Sequence, residues 1–340
     1  MRFASILLEW FRENGRDLPW RQTRDPYAIW LSEIILQQTQ VKQGWEYWER
    51  FMHHWPNVQE LAAASEDEVL REWQGLGYYS RARNLHYAAK QIVTLGHFPD
   101  TLEEIKQLKG VGDYTAAAIG SIAFGLPAAV VDGNVYRVLA RHFGIDTPIN
   151  TTEGKKLFAA LAQELLPQDT SLTSLHSPLT SDYNQAIMDF GAMQCTPQSP
   201  KCMECPLAES CEALRSGRVG ELPVKLKTLK VTERHLNYIY IRCKGQTAIH
   251  RRGPGDIWQG LWEPWLVDES VLSSLTTLLL PLKKKLKHVL THRVLYADFY
   301  LLETDESPKL PSEYIWIAES DLNHYALPRL IEVLLSFLPK

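Results

Sequence analysis

The chain has 340 residues, 45% of them hydrophobic and 22% charged, with a formal net charge of −4. That length exceeds one compact core and suits two domains, and the composition excludes a disordered chain. No apolar run reaches the roughly 18 residues of a membrane span, and the charge balance leaves any attraction to nucleic acid to local patches.

In chain order, apolar residues recur at helical spacing in FASILLEWFREN (3–14), YAIWLSEIILQQ (27–38), YSRARNLHYAAKQIV (79–93) and TAAAIGSIAFG (115–125). The first of these has no small-residue cleavage site, which points to a cytosolic protein. Pro56, Gly75, Gly77, Pro99, Gly110, Gly112, Pro127 and Pro148 mark the joints. A further helix follows at Tyr136–Phe143. Beyond about residue 214 the period changes: LNYIYIRC (236–243), RVLYADFYLL (293–302) and YIWIA (314–318) read as strands, and RLIEVLLSFL (329–338) as a closing helix. This predicts a helical domain over 1–213, a linker over 214–231 and an α+β domain over 232–340. The stretch 214–235 carries six Lys/Arg against two Glu; it suits a segment lying along phosphates or, equally, a solvated connector.

Four features carry chemistry. Four of the five cysteines crowd into Cys195-x6-Cys202-x2-Cys205-x5-Cys211, which argues for metal over disulfides and fits zinc or an iron–sulfur cluster. The remaining Cys243 reads as a small buried hydrophobe. Gly110-Val-Gly112 precedes a small-residue helix, so its backbone amides can bind an anion, although an ordinary inter-helix turn reads the same way. Asp132, in Val131-Asp-Gly-Asn-Val135, is an obvious helix cap and a carboxylate at a helix mouth, expected to stay ionised. Glu33 stands on a mostly apolar helix beside Trp30, Ile34 and Ile35. A helical Glu usually faces solvent, but here burial would raise its pKa into the range of a general acid.

The order of these motifs resembles the endonuclease III superfamily of DNA glycosylases. Arg16-Asp-Leu-Pro-Trp-Arg21, Pro26-Tyr-x-x-Trp-Leu-Ser-Glu33-x-x-Leu-Gln-Gln-Thr-Gln-Val41 and Gly75-Leu-Gly-Tyr-Tyr-Ser-Arg-Ala-Arg-Asn-Leu85 resemble, within it, the adenine glycosylases of the MutY type. The resemblance is strong over 1–212 and weaker over 232–340. It implies an all-α helix-hairpin-helix domain with a [4Fe–4S] loop on Cys195, Cys202, Cys205 and Cys211, followed by an α+β Nudix-like domain. It implies that Glu33 protonates adenine and later activates water, and that Asp132 stabilises the cationic sugar with support from Asn134 and Tyr114. Arg16, Trp20, Arg21, Leu36 and Gln185 would line the base pocket. Gln38, Leu76 and Tyr78 would wedge into duplex DNA, with Gly110 and Gly112 on its phosphates. Thr291 and His292, in Lys287-His-Val-Leu-Thr-His292, would read an opposite 8-oxoguanine. Leu290 and Thr291 depart from the family's Phe-Ser there. Gly260-Leu-Trp-Glu-Pro264 is a remnant of the Nudix fold, whose hydrolytic glutamate pattern is missing. The implied partner is duplex DNA with A:8-oxoG or A:G mispairs, and the implied state is a cytoplasmic monomer, nucleoid-associated if bacterial. A lysine where Tyr114 stands would have suggested a glycosylase–lyase.

Overall fold

The computed structural model describes residues 2–167, 179–227, 231–275 and 277–339. Positions 228–230, expected to be linker, lie outside the described residues. The chain divides into two compact units, Met1–Ala62 with Tyr87–Lys227, and Ala63–His86 with Thr228–Lys340.

The first unit is helical: α1 (Arg2–Asn14), α2 (Pro26–Leu36), α3 (Val41–His54), α4 (Val58–Ala63), α5 (Glu66–Glu72), α6 (Ser80–Leu95), α7 (Leu102–Gln107), α8 (Asp113–Phe124), α9 (Gly133–Phe143), α10 (Thr152–Glu164), α11 (Leu179–Met193) and α12 (Glu212–Arg215) follow in order, with α5 and the start of α6 belonging to the second unit. Asp25 caps α2 by accepting from the Tyr27 amide, and Pro26 occupies its first turn. Residues Tyr27 to Ile35 are all buried, so α2 is a core helix and not an amphipathic one. It packs on α8, a helix rich in small residues, and α9 packs on α11. Gly125 and Gly144 end α8 and α9 in the left-handed conformation.

Packing adds two details to the expected domain bounds. Residues 63–86 carry α5 and the start of α6, and by packing they group with the second unit. Gln74 accepts from the Leu327 amide and donates to Glu332, the Arg83 guanidinium donates to the Gln259 carbonyl at 2.5 Å, and Arg251 pairs with Glu66 at 2.8 Å. The stretch 214–227 is anchored on the helical domain at two points, while its Arg215, Lys225 and Lys227 stay exposed. Leu222 is buried in the helical core, its carbonyl accepts from Arg141, and the Val224 carbonyl accepts from the Ile149 amide. Basic composition concealed the alternating apolar residues Leu222, Val224 and Leu226.

In the second unit β1 (Thr232–Arg242), β2 (Gln246–Arg251), β3 (Trp262–Glu263), β4 (Trp265–Val267), β5 (Leu280–Val289), β6 (Arg293–Glu303) and β7 (Tyr314–Ala318) form two sheets, ordered β4-β1-β6-β5 and β3-β2-β7. Strands β1 and β6 are parallel, with Leu236 opposite Ala297. The closing helix Arg329–Leu335 buries Leu330, Ile331 and Leu334 against Tyr238, Leu295 and Phe299. The sequence reading missed β5, because Lys283, Lys284 and Lys285 break its alternation. The strand lies at the sheet edge, where register shifts and lysines are tolerated and discourage pairing with other chains. Among the described residues no helix is long and apolar enough to cross a membrane.

Candidate active site

A cavity of about 750 Å³ opens in the first unit, and its wall includes Glu33, Tyr114, Asp132 and Asn134 together with Arg16, Trp20, Arg21, Leu36 and Gln185. Four helices and the segment before α2 deliver them, so residues separated by up to 169 positions share one concavity.

Glu33 is 7% exposed. Burial pushes its carboxyl up to about 7, the Tyr114 hydroxyl bond lowers it, and the nearby Asp132 charge raises it again. The Tyr114 hydroxyl donates to Glu33 Oε2 at 2.9 Å. The hydroxyl's bond to a carboxylate thus goes to Glu33, while Asp132 shares the cavity. Burial, then the charges of Glu33 and Asp132, hold the Tyr114 phenol well above its ordinary value, so it stays a donor.

Asp132 does cap α9. Its Oδ1 accepts from the Asn134 and Val135 amides, both at 2.8 Å, and its Oδ2 accepts from Asn134 Nδ2 at 2.8 Å. Capping and the expected catalytic placement coincide. Burial nevertheless raises the Asp132 pKa against these bonds, so its ionised form is held under strain and not simply favoured by the helix mouth. Arg137 ties this cap to the cysteine loop by donating to Asn134 Oδ1 at 2.8 Å and to the Cys195 carbonyl at 2.6 Å. Gly191 is obligatory here, since a Cβ would stand 2.6 Å from Asn134 Cβ.

The sequence reading missed Asp189. Its carboxylate is fully enclosed and accepts from Arg21 Nη1 and Nη2, both at 2.8 Å, from Arg16 Nε at 2.9 Å and from the Arg16 amide at 3.0 Å. Burial works upward on this group, but the Arg21 and Arg16 bonds outweigh it and hold its pKa below the ordinary value. The only signal was an acid three residues after Ala186 on a helix otherwise buried. Asp189→Ala would leave two arginines unpaired at the cavity and is expected to cost about 3 kcal/mol. Urea unfolding checks this, and a loss below about 1 kcal/mol would reduce the cluster to the worth of a surface pair.

Trp20 is buried edge-on against Trp45 and Trp48. Gln185 donates to Ser181 Oγ at 3.0 Å, while its carbonyl oxygen is buried without a partner. Gln38 is exposed and lies outside this cavity's lining, just past α2 with φ 59°. In the glycine hairpin, Gly110 takes φ 84° and Gly112 is extended as the uncapped N-cap of α8. Nothing lies within 4 Å of a Cβ added at Gly112, so the backbone just ahead of α8 borders open space, and Gly112 offers the helix start no side-chain cap.

In the second unit, Leu76, Tyr78, Thr291 and His292 line a separate cavity of about 630 Å³. The Tyr78 hydroxyl and Thr291 Oγ1 are 2.6 Å apart.

The cysteines fit a bound cluster. Cys195, Cys205 and Cys211 pack against the helical core, and Arg141 donates to Cys195 Sγ at 3.5 Å. Burial pushes the Cys205 thiol up to about 11, with Cys195, Cys211 and Cys202 adding to the rise. Four mutually repelling thiolates need a cationic centre among them. Cys202→Ser or Cys205→Ser is expected to remove bound iron and the visible absorbance of the cluster. Metal analysis returning zinc without iron would overturn the iron assignment.

Comparisons with known proteins define the class first. Residues 31–168 match the HhH-GPD superfamily base excision DNA repair protein family, residues 195–211 the iron-sulfur binding domain of endonuclease III, and residues 237–336 the NUDIX domain. The loop 195–211 is thus the seat of a [4Fe–4S] cluster. An "Adenine DNA glycosylase" of Buchnera aphidicola subsp. Acyrthosiphon pisum is 30% identical over 98% of this chain and 96% of its own length. The chain belongs to the adenine DNA glycosylase family. The mouse protein of that name is 44% identical over 65% of this chain, and the matched part spans 43% of the mouse protein's length. A thermostable thymine-DNA glycosylase shares 31% identity and a TM-score of 0.56 over 63% of this chain and 95% of its own. An endonuclease III–DNA complex at 22% identity, TM-score 0.52, shares the fold over 64% of this chain and 95% of its own.

Proposed function

We propose that this chain flips adenine out of duplex DNA and hydrolyses its N-glycosidic bond, acting on adenine opposite 8-oxoguanine or guanine, with no lyase step. The observation that carries this is Glu33, an acid with a pKa near 7, in one cavity with the ionisable Asp132. Adenine leaves badly as an anion, so Glu33 delivers a proton to the base as the bond's electron pair departs with it. Asp132 faces the cationic sugar that remains, and the now ionised Glu33 takes a proton from the water that adds to it. The unpartnered Gln185 carbonyl would accept from a base N–H. The position where a Schiff-base lysine would stand is Tyr114, which supports release of an intact abasic strand. The target bond is buried in the base stack, so flipping is obligatory, and the helix start at Gly112, without a side-chain cap, supports binding of a backbone phosphate. In the second unit, the Tyr78–Thr291 cavity is the reader of the opposite base.

Incubation with duplexes carrying A:8-oxoG, A:G, A:C and A:T tests this directly. Alkali-dependent cleavage at A opposite 8-oxoG is expected, with no adduct trapped by borohydride. Cleavage at an oxidised pyrimidine, or efficient trapping, would overturn it.

A further inference from the structure

Trp258 sits in the second unit with φ 60°, a backbone region that a bulky side chain rarely adopts. The surrounding loop is tied down on both sides of it. The Arg252 amide donates to the Leu261 carbonyl at 2.8 Å, the Gly260 amide to the Arg252 carbonyl at 2.9 Å, and the Leu261 amide to the Trp258 carbonyl at 3.0 Å. Inside the loop Arg252 Nε donates to the Ile257 carbonyl at 2.8 Å. Asp256 accepts from Arg234 and Arg252, both at 2.6 Å, and from Arg293 at 3.1 Å. The fully buried Glu263 clamps Arg252 from the other end at 2.6 and 2.7 Å. Strain of this kind persists only where the surroundings over-determine it, and it gathers at binding sites.

The strained ring lines the cavity that also holds Tyr78 and Thr291. Tyr78, another wall residue, is itself left-handed at φ 46°. The Trp258 ring is half-buried, with the Arg252 guanidinium 5.8 Å from its centroid and the His288 ring 6.0 Å away at 63°. These contacts fix an indole on a wall that also carries hydroxyl and cationic groups, a combination suited to a flat, hydrogen-bonding ligand such as a nucleobase.

We infer that Trp258 is a specificity-determining residue, the aromatic wall on which a purine opposite the target adenine packs. The inference rests on the reading of this cavity given above. A two-ring base gains more from such a face than a one-ring base, so Trp258 sets a preference for purines over pyrimidines at the opposite position.

The test compares binding of A:8-oxoG and A:C duplexes by the full chain carrying Glu33→Gln, which keeps the duplex uncleaved. Adding Trp258→Asn is expected to reduce the purine preference roughly tenfold, and adding Trp258→Phe to retain most of it. Asn tolerates a left-handed backbone, so a purely structural role for Trp258 would leave the preference of the folded Asn variant unchanged. If that variant fails to fold, Trp258→Leu, which keeps the apolar bulk without a π face, replaces it in the same comparison. Equal affinities for both duplexes before Trp258 is changed would sink the reading of the cavity itself. A clear preference that survives in folded Trp258→Asn or Trp258→Leu would sink only the inference.

Discussion

Glu33→Gln is expected to bind an adenine-mispaired duplex and excise almost nothing, while melting higher than the parent at pH 8. Loss of a general acid costs ~10²–10⁴-fold in rate, and here the same group also activates water. The stability sign follows from a carboxyl pKa raised from 4.5 to about 7 in the fold. Between those values the folded state holds more protons than the unfolded one, so this group's contribution is fully present below 4.5 and lost as pH rises through 7. Above pH 7 the parent carries a buried carboxylate next to Asp132 and the variant does not, a difference on the order of 2–3 kcal/mol. The Tyr114 hydroxyl can still donate to the amide oxygen. The same titration gives the parent a single-turnover rate that falls above pH about 7 as the acid loses its proton. Near-normal excision by Glu33→Gln, or an unchanged alkaline limb in its residual rate, would place the acid elsewhere.

Asp132→Asn is expected to lose excision by a factor of ~10²–10³ or more, because a neutral amide cannot offset a developing sugar cation. Folding should change little. Asn caps helices as well as Asp does, so the bonds from the Asn134 and Val135 amides at 2.8 Å can survive. One bond is lost, since the new amide N–H₂ would face Asn134 Nδ2, at a cost of about 1 kcal/mol. Relief of the buried charge works in the opposite direction, because a raised Asp132 pKa means stability lost as pH rises through the folded value. Thermal melts within a few degrees of the parent, beside single-turnover kinetics, check both halves. A melt depressed by ten degrees or so would make Asp132 a structural cap first.

Much of this was legible from local rules. The cap at Asp132, the cysteine spacing, the glycine-led α8 and the apolar setting of Glu33 are all short-range patterns. Each was a weak signal alone, and their order along the chain carried the resemblance. Strands β1 and β6 were legible because buried inner strands are apolar runs or clean alternations, and β7, though at a sheet edge, was legible from its unbroken run of aromatic and β-branched residues. β5 was not, because an edge strand has no such requirement and its lysines are there for solubility.

The sequence by itself determined the chemistry available: two carboxylates, four thiols, an amide-lined helix start and a tyrosine in place of a lysine. Those depend on residue identity and on hydrogen bonds a few positions long. Tertiary structure alone decided three further things. It buried Glu33 beside Asp132, and so set a pKa near 7, because desolvation and charge coupling come from residues about 100 positions away. It gave the Tyr114 hydroxyl to Glu33 and both pocket arginines to Asp189, 168 to 173 positions distant. It also packed residues 63–86 into the second unit and held Trp258 in a left-handed backbone against its own preference. Burial, long-range electrostatics and imposed strain are sums over neighbours in space, and a linear pattern does not contain them.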